Sequence, residues 1–183
     1  ANKATPSFAA GYHLGSAFVD GGTVYVYGVA KWGGDAIRVF WSNDLEQWKD
    51  REALALPGWE IFNTSVCKGR DGYVMAFEIG APKEETGVAF TMRFAYSRDA
   101  LAWSLAPGGC VYTKERYSAC PALRYLDGYY YMVYLESYPG YYATNIVRSK
   151  DLAAWEESPF KPIMKHSDED KRIANPRLSP ELR

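Results

Sequence analysis

Histidine and cysteine are scarce in this 183-residue chain, with two of the first and three of the second. His13 and His166 are too few for a histidine metal cluster. No nucleophile elbow supports a Ser-His-Asp assembly, and no phosphate-cradling glycine loop occurs. Cys67, Cys110 and Cys120 contain no C-x-x-C pair, which argues against a disulfide framework or a structural zinc site. They read as three small half-buried thiols, with a single Cys110–Cys120 bridge left open. Neither metal nor other cofactor is expected. Charge of one sign is missing too: 21 basic against 22 acidic residues give a net charge of −1, which speaks against nucleic acid or an anionic membrane as partner. There is no apolar run long enough to span a bilayer and no signal peptide at Ala1, so localisation, cytoplasmic or secreted, stays open. Helical periodicity is nearly absent.

What is present is apolar and aromatic material: 48% hydrophobic residues, with 15 Tyr, 8 Phe and 6 Trp. It is arranged as a repeat. Ser42-Asn43-Asp44-Leu45-Glu46-Gln47-Trp48, Ser97-Arg98-Asp99-Ala100-Leu101-Ala102-Trp103 and Ser149-Lys150-Asp151-Leu152-Ala153-Ala154-Trp155 share one Ser-x-Asp-x-x-x-Trp frame, recurring roughly every fifty residues. Each copy follows an apolar or aromatic run, so a strand gives way there to a turn. The Ser or Asp side chain can take up free backbone N–H groups, while the Trp returns to cover the next unit. Trp48, Trp103 and Trp155 are therefore core candidates.

Before each box lies a hairpin signal: Asp20-Gly21-Gly22, Arg70-Asp71-Gly72 and Leu126-Asp127-Gly128, each between β-formers. The first unit reads as strands at Ser16–Val19, Thr23–Tyr27, 36–41 and Ala53–Leu56. The second reads as Asn63–Lys68, Tyr73–Phe77, Val88–Tyr96 and Gly109–Tyr112, and the third as Pro121–Tyr125, Tyr129–Leu135, Tyr142–Val147 and Phe160–Met164. The fold class is all-β: a β-propeller segment of about three four-stranded blades (11–58, 59–113, 114–165), with 166–183 as a polar connector. Closed propellers have about four to eight blades. This chain is then expected to be part of a larger, five-bladed ring, or to close a ring by self-association.

The boxes, together with Cys120-Pro121-Ala122-Leu123-Arg124-Tyr125-Leu126-Asp127-Gly128-Tyr129-Tyr130-Tyr131, resemble the five-bladed β-propeller glycosidases of glycoside hydrolase family 43 and their invertase relatives. Sialidase propellers come second, since their box has one more residue before Trp and a central Gly. The resemblance implies a carbohydrate ligand and hydrolysis of glycosidic bonds. The alternatives are a non-catalytic carbohydrate-binding or scaffold propeller, or a partial propeller whose catalytic residues lie in other blades. In the family, catalytic carboxylates sit where the inner strands begin. The matching stretches here, His13-Leu14-Gly15-Ser16, Phe62-Asn63-Thr64-Ser65 and Tyr117-Ser118-Ala119-Cys120-Pro121, contain no Asp or Glu, and Ala119 stands where the invertase-type acid would be. Hydrolysis needs two carboxyl groups, so the acids must lie elsewhere.

The second strand of each blade returns to the face where the first began. Glu78 and Glu136 close two such strands, and burial beside aromatic residues would raise a carboxyl pKa toward that of a general acid. One is expected as acid and the other as base, with Arg93 as the orienting cation. The alternative is that both glutamates are rim residues paired with Arg. Arg38 and Arg93, each four residues before a box, share a register in which the third unit has Asn145. They either bind a carboxylate or tie blades together. Asp35 is a third rim carboxylate. Trp32, Tyr117 and Tyr138, with Tyr12, Trp59 and Tyr141, are candidate sugar-stacking rings, and His13 and Asn63 candidate hydrogen-bonding partners. Asn63-Thr64-Ser65 matches the glycosylation pattern but falls at an inner strand start, and is read as pocket lining.

Overall fold

The computed structural model describes residues 7–88 and 90–165; the connector at 166–183, with His166, lies outside them. Twelve strands form three antiparallel sheets. Strands β1 (His13–Asp20), β2 (Thr23–Val29), β3 (Ala36–Ser42) and β4 (Lys49–Ala55) build the first. The second contains β5 (Glu60–Lys68), β6 (Tyr73–Ala81), β7 (Thr91–Ser97) and β8 (Ser104–Leu105), with a single helical turn, α1 (Lys83–Thr86), between β6 and β7. The third contains β9 (Ser118–Leu126), β10 (Tyr129–Tyr138), β11 (Tyr141–Ser149) and β12 (Trp155–Glu157). Within each sheet the spatial order is the chain order, inner strand to outer strand. The inner strands β1, β5 and β9 lie side by side, joined by Ser16 Oγ to Thr64 Oγ1 at 3.0 Å and by Leu123 N donating to Ser65 Oγ at 2.9 Å. This is a partial β-propeller of three blades.

The repeated box is a cage. In the first copy Ser42 Oγ donates to Asp44 Oδ1 and accepts the N–H of Leu45, while Asp44 Oδ1 accepts the N–H groups of Glu46 and Gln47. The second and third copies repeat the Asp contacts through Asp99 and Asp151. With its donors satisfied in this way, the fourth residue of the box takes the left-handed conformation without being glycine: φ is 65° at Leu45, 62° at Ala100 and 66° at Leu152. The indole N–H of each Trp then donates to the carbonyl of that residue, at 3.1, 3.2 and 3.1 Å. Accepted N–H bonds hold the carboxyls of Asp44, Asp99 and Asp151 below the ordinary aspartate range.

Packing shows which blade faces have partners. The middle blade is buried on both sides, as the unbroken buried runs of β6 and β7 record, whereas β10 and β11 alternate between buried and half-buried positions. One apolar cluster fills the gap between blades one and two around Tyr27, Val39, Phe77 and Trp103. Another fills the gap between blades two and three around Phe94, Tyr112, Met132 and Leu152. Ala100 and Leu152 are fully buried against the preceding blade, but Leu45, with no blade before it among the described residues, is 62% exposed. Trp48 differs in the same way from the core position expected for it. It is half-buried and stacks on Phe8, ring centroids 3.7 Å apart.

The outer strands sit elsewhere than their apolar residues suggest. β8 and β12 begin at or just after the box Trp because the cage has already reversed the chain, which then pairs at once with the preceding strand. Residues 109–112 and 160–164 follow later and make only the isolated bridges Arg93–Val111 and Thr144–Met164. In blade two the third strand starts at Thr91 rather than Val88. All three cysteines are free: Cys67 and Cys110 are buried, while Cys120 is exposed.

Two outcomes follow. Leu152→Ala removes a fully buried side chain and should cost about 2–5 kcal/mol by denaturant unfolding, whereas Leu45→Ala should stay within about 0.5 kcal/mol. Equal costs would contradict the assignment of blade faces. Under native conditions an aromatic disulfide reagent should modify Cys120 alone. Cys67, whose thiol pKa burial pushes up to about 12, and Cys110 should react only on unfolding.

Candidate functional site at the inner-strand bulges

Each inner strand carries a β-bulge near its beginning, at Leu14-Gly15, Phe62-Asn63 and Cys120-Pro121. A bulge inserts an unpaired residue and re-aims side chains, here at the end of the blade stack where the first strands start and the second strands finish. Leu14 and Cys120 occupy equivalent positions and share positive φ values of 56° and 53°. The left-handed turn at Cys120 directs its backbone N–H at Glu78 Oε2, 2.9 Å away, and Asn63 Nδ2 donates to the same oxygen at 2.8 Å. Glu78, on β6, is only 4% exposed. Desolvation raises its pKa above the ordinary glutamate value, and the two N–H donors oppose that rise without cancelling it. Both donors converge on Oε2, so the proton of the neutral acid resides on Oε1.

Around this carboxyl runs an arc of rings in successive edge-to-face contact. Trp32 meets Phe62 at 5.2 Å, Phe62 meets Phe90 at 5.1 Å, Phe90 meets Tyr117 at 5.2 Å and Tyr117 meets Tyr142 at 5.7 Å. Burial and the neighbouring Glu78 charge raise the pKa of the Tyr117 hydroxyl, and the same two causes raise that of the Cys120 thiol. Gly80, two residues beyond Glu78 on the same strand face, leaves room for this assembly. A Cβ there would lie 2.8 Å from Phe62 Cε2 and 3.0 Å from Glu60 Oε2. Glu60, on β5, thus brings an exposed carboxylate to the Gly80 position of β6, two residues from Glu78 and about 7 Å along the strand.

The other candidate residues fall in different places. Glu136 faces the same gap between blades two and three, but its oxygens are engaged: Tyr134 OH donates to Oε2 at 2.8 Å, and Arg116 Nε and Lys161 Nζ each lie 3.4 Å away. With Glu157 on the same two cations, this is an ion-pair cluster binding the β8–β9 connection to blade three. Arg93 does not orient Glu78. It pairs across the sheet with Phe77, while Glu78 pairs with Met92, so Arg93 projects from the opposite face. There it is 1% exposed, ion-paired with Glu85 and set 5.4 Å over the Trp59 ring. Arg38 pairs with Asp50 on the unpartnered side of blade one, and Asp35 is exposed. His13 is exposed at the first bulge, beside Tyr12 but without an acid. Tyr138 stacks on Tyr141 at 5.1 Å across the β10–β11 turn, and its hydroxyl donates to Asn145 Oδ1 at 3.3 Å. No group of three or more His, Cys, Asp or Glu among the described residues could hold a metal ion.

The site thus brings together Glu78, Asn63, Tyr117 and Trp32 and leaves Arg93 and Arg38 outside. Sequence reasoning missed Phe62, Phe90, Glu60 and the backbone N–H of Cys120. The repeat carried a signal for part of this, since Leu14, Phe62 and Cys120 are counterparts, each six residues before the end of its inner strand. The left-handed turn at Cys120, a non-glycine residue, has no signature in composition.

No family model and no curated protein matches the chain. Solved structures do. A family 117 glycoside hydrolase from the marine bacterium Zobellia galactanivorans superposes with a TM-score of 0.68 at 16% identity, over 86% of this chain and 58% of that one. The Bombyx mori GH32 β-fructofuranosidase gives 0.60 at 17% identity over 80% and 36%, and the GH43 endo-arabinanase from Bacillus licheniformis 0.58 at 14% over 80% and 54%. The chain spans about half the length, or less, of these structures. It has the fold of the corresponding part of a β-propeller glycoside hydrolase.

Proposed function

We propose that this chain forms part of a carbohydrate-active propeller that hydrolyses glycosidic bonds, with Glu78 as general acid and Glu60 as the second carboxylate. The observation that carries this reading is the buried Glu78 carboxyl at the bulged end of the inner strands. Its pKa is raised by desolvation, and both its N–H donors sit on one oxygen, which leaves the Oε1 proton to be given away. In the reaction the Oε1 proton passes to the glycosidic oxygen as the bond from that oxygen to the anomeric carbon breaks. Water supplies the new hydroxyl, and its other proton goes to Glu60. Glu60 Oε2 lies at the Gly80 position, one side-chain step of about 7 Å along β6 from Glu78, and this chemistry uses carboxyl separations of about 5–9.5 Å. The arc from Trp32 to Tyr142 supplies apolar faces for sugar C–H groups. The activities of the structural neighbours, a β-fructofuranosidase and an endo-arabinanase among them, lend support at the level of carbohydrate chemistry.

A second reading, carbohydrate binding without turnover, draws on Ala119 at the inner strand of blade three and on the ion pairs that occupy Glu136. Incubation with aryl glycosides and with arabinan, xylan and fructan separates the two: released sugar supports hydrolysis, and saturable binding without release supports the second.

Glu78→Gln should lower kcat by at least about a hundredfold, and Glu60→Gln should do likewise. Because the folded-state pKa of Glu78 lies above its unfolded value, ionisation of this group weakens the fold as pH rises. Glu78→Gln should therefore raise the unfolding midpoint at neutral pH, a gain that vanishes below about pH 4, where both states are protonated. A uniform loss of stability at every pH would contradict the desolvated acid. Asn63→Ala removes a bond that favours the carboxylate. The alkaline limb of the pH–kcat/KM profile should then move to higher pH.

A further inference from the structure

Trp32 is 73% exposed, and the other five tryptophans are buried or half-buried. A large exposed ring is normally mobile, but this one is held. Its loop, between β2 and β3 of blade one, is fastened to blade two by the Gly34–Ile61 bridge, with Ile61 N donating to Gly34 O at 2.9 Å. Gly34 N donates back to Lys31 O at 3.1 Å and closes the turn around Trp32. Gly33 holds φ 66° and lies close to Phe62 and Glu60, where a Cβ would come within 3.4 Å of the Phe62 ring. The Trp32 edge rests on Phe62, itself 3% exposed, and Phe62 precedes the Asn63 that holds Glu78. A loop of one blade is therefore pinned to the next so that an indole stays fixed in solvent at the end of the ring arc, with Phe62 and Asn63 between it and the candidate acid. The fold gains little from this arrangement, because most of the indole surface remains in water.

Resting on the carbohydrate reading above, we infer that Trp32 is a distal stacking subsite, and that the ligand is a neutral oligosaccharide laid across the blades rather than a single terminal sugar. The ring arc continues past Glu78 to Tyr117 and Tyr142 on blade three, so apolar surface flanks the acid on both sides. A sugar chain crossing this face puts one residue at Glu78 and a more remote one on Trp32. The remote contact needs only C–H surface against a flat ring. Short saccharides centred on Glu78 do not reach the indole.

The test compares native chain, Trp32→Ala and Trp32→Phe by calorimetric titration with arabino-, xylo- and fructo-oligosaccharides of increasing length, each protein checked for an unchanged thermal transition. In the series that the native chain binds, Trp32→Ala should weaken the longer members by roughly tenfold and leave the shortest unchanged, and Trp32→Phe should restore part of the loss. Equal weakening at all lengths, or none at any length, overturns the distal subsite while leaving the Glu78 reading intact. If the native chain binds no member of any series, the carbohydrate reading falls and the subsite with it.

Discussion

The structure depends on one contact repeated between blades: the left-handed residue of each Ser-x-Asp box seated against the sheet before it. Ala100 lies under blade one, where its carbonyl accepts the Tyr27 hydroxyl at 2.8 Å as well as the Trp103 indole. Leu152 lies under blade two, where Trp155 meets Phe94 and Tyr112. The cage around Asp99 or Asp151 makes the unfavourable φ tolerable, and burial of the residue so exposed makes it useful. Blade one is preceded by no sheet among the described residues; the same cage forms there in full, but Leu45 stays exposed and Trp48 stacks on Phe8. The cage is thus local, set by the heptad alone, whereas its contribution to stability is not local at all.

This division explains what could be read from the chain. Box, hairpin and strand order were legible because each rests on nearby residues: an Asp that caps two N–H groups, an Asp-Gly turn, an apolar run. The outer strands were not, because β8 is fixed by where the cage releases the chain and not by the apolar residues further on. Glu78 was legible as the end of an aromatic strand. Arg93 was misplaced by one phase: counting back from the box gives its height on the sheet correctly, but which face it takes depends on cross-strand pairing with Phe77 rather than Glu78. Glu136 illustrates a further gap, since its cations come from Arg116 and Lys161, on segments without regular structure.

The same phase argument makes the blade gaps chemically unequal. The gap between blades one and two takes Arg93 from β7, and the cation is absorbed by Glu85 and Trp59. The gap between blades two and three takes Glu78 from β6, and no cation among the described residues pairs with it. Two neutral N–H donors do so instead. A carboxylate paired with a guanidinium would be held ionised and could not donate a proton near neutral pH. Two amide-type bonds to one oxygen moderate the desolvation without abolishing it, and so leave an acid that is both oriented and reluctant to ionise.

Strain is spent at the same end. The inner strands bulge there, Cys120 adopts a left-handed backbone that most L-residues avoid, and Gly80 is kept without a side chain so that Phe62 and Glu60 can approach. The opposite end, by contrast, is built of tight Asp-Gly hairpins and cages whose polar groups bond mostly to one another. A cavity of about 530 Å³ there is lined by Asp71, Tyr73, Ser97, Asp99 and Tyr130. Of these, Asp99 is committed to its own turn and Tyr73 to Asp20. Cavity size therefore points to one end of the blades and chemistry to the other. The bulged end carries the stronger argument, because there a buried carboxyl with a raised pKa meets two neutral N–H donors beside an arc of rings.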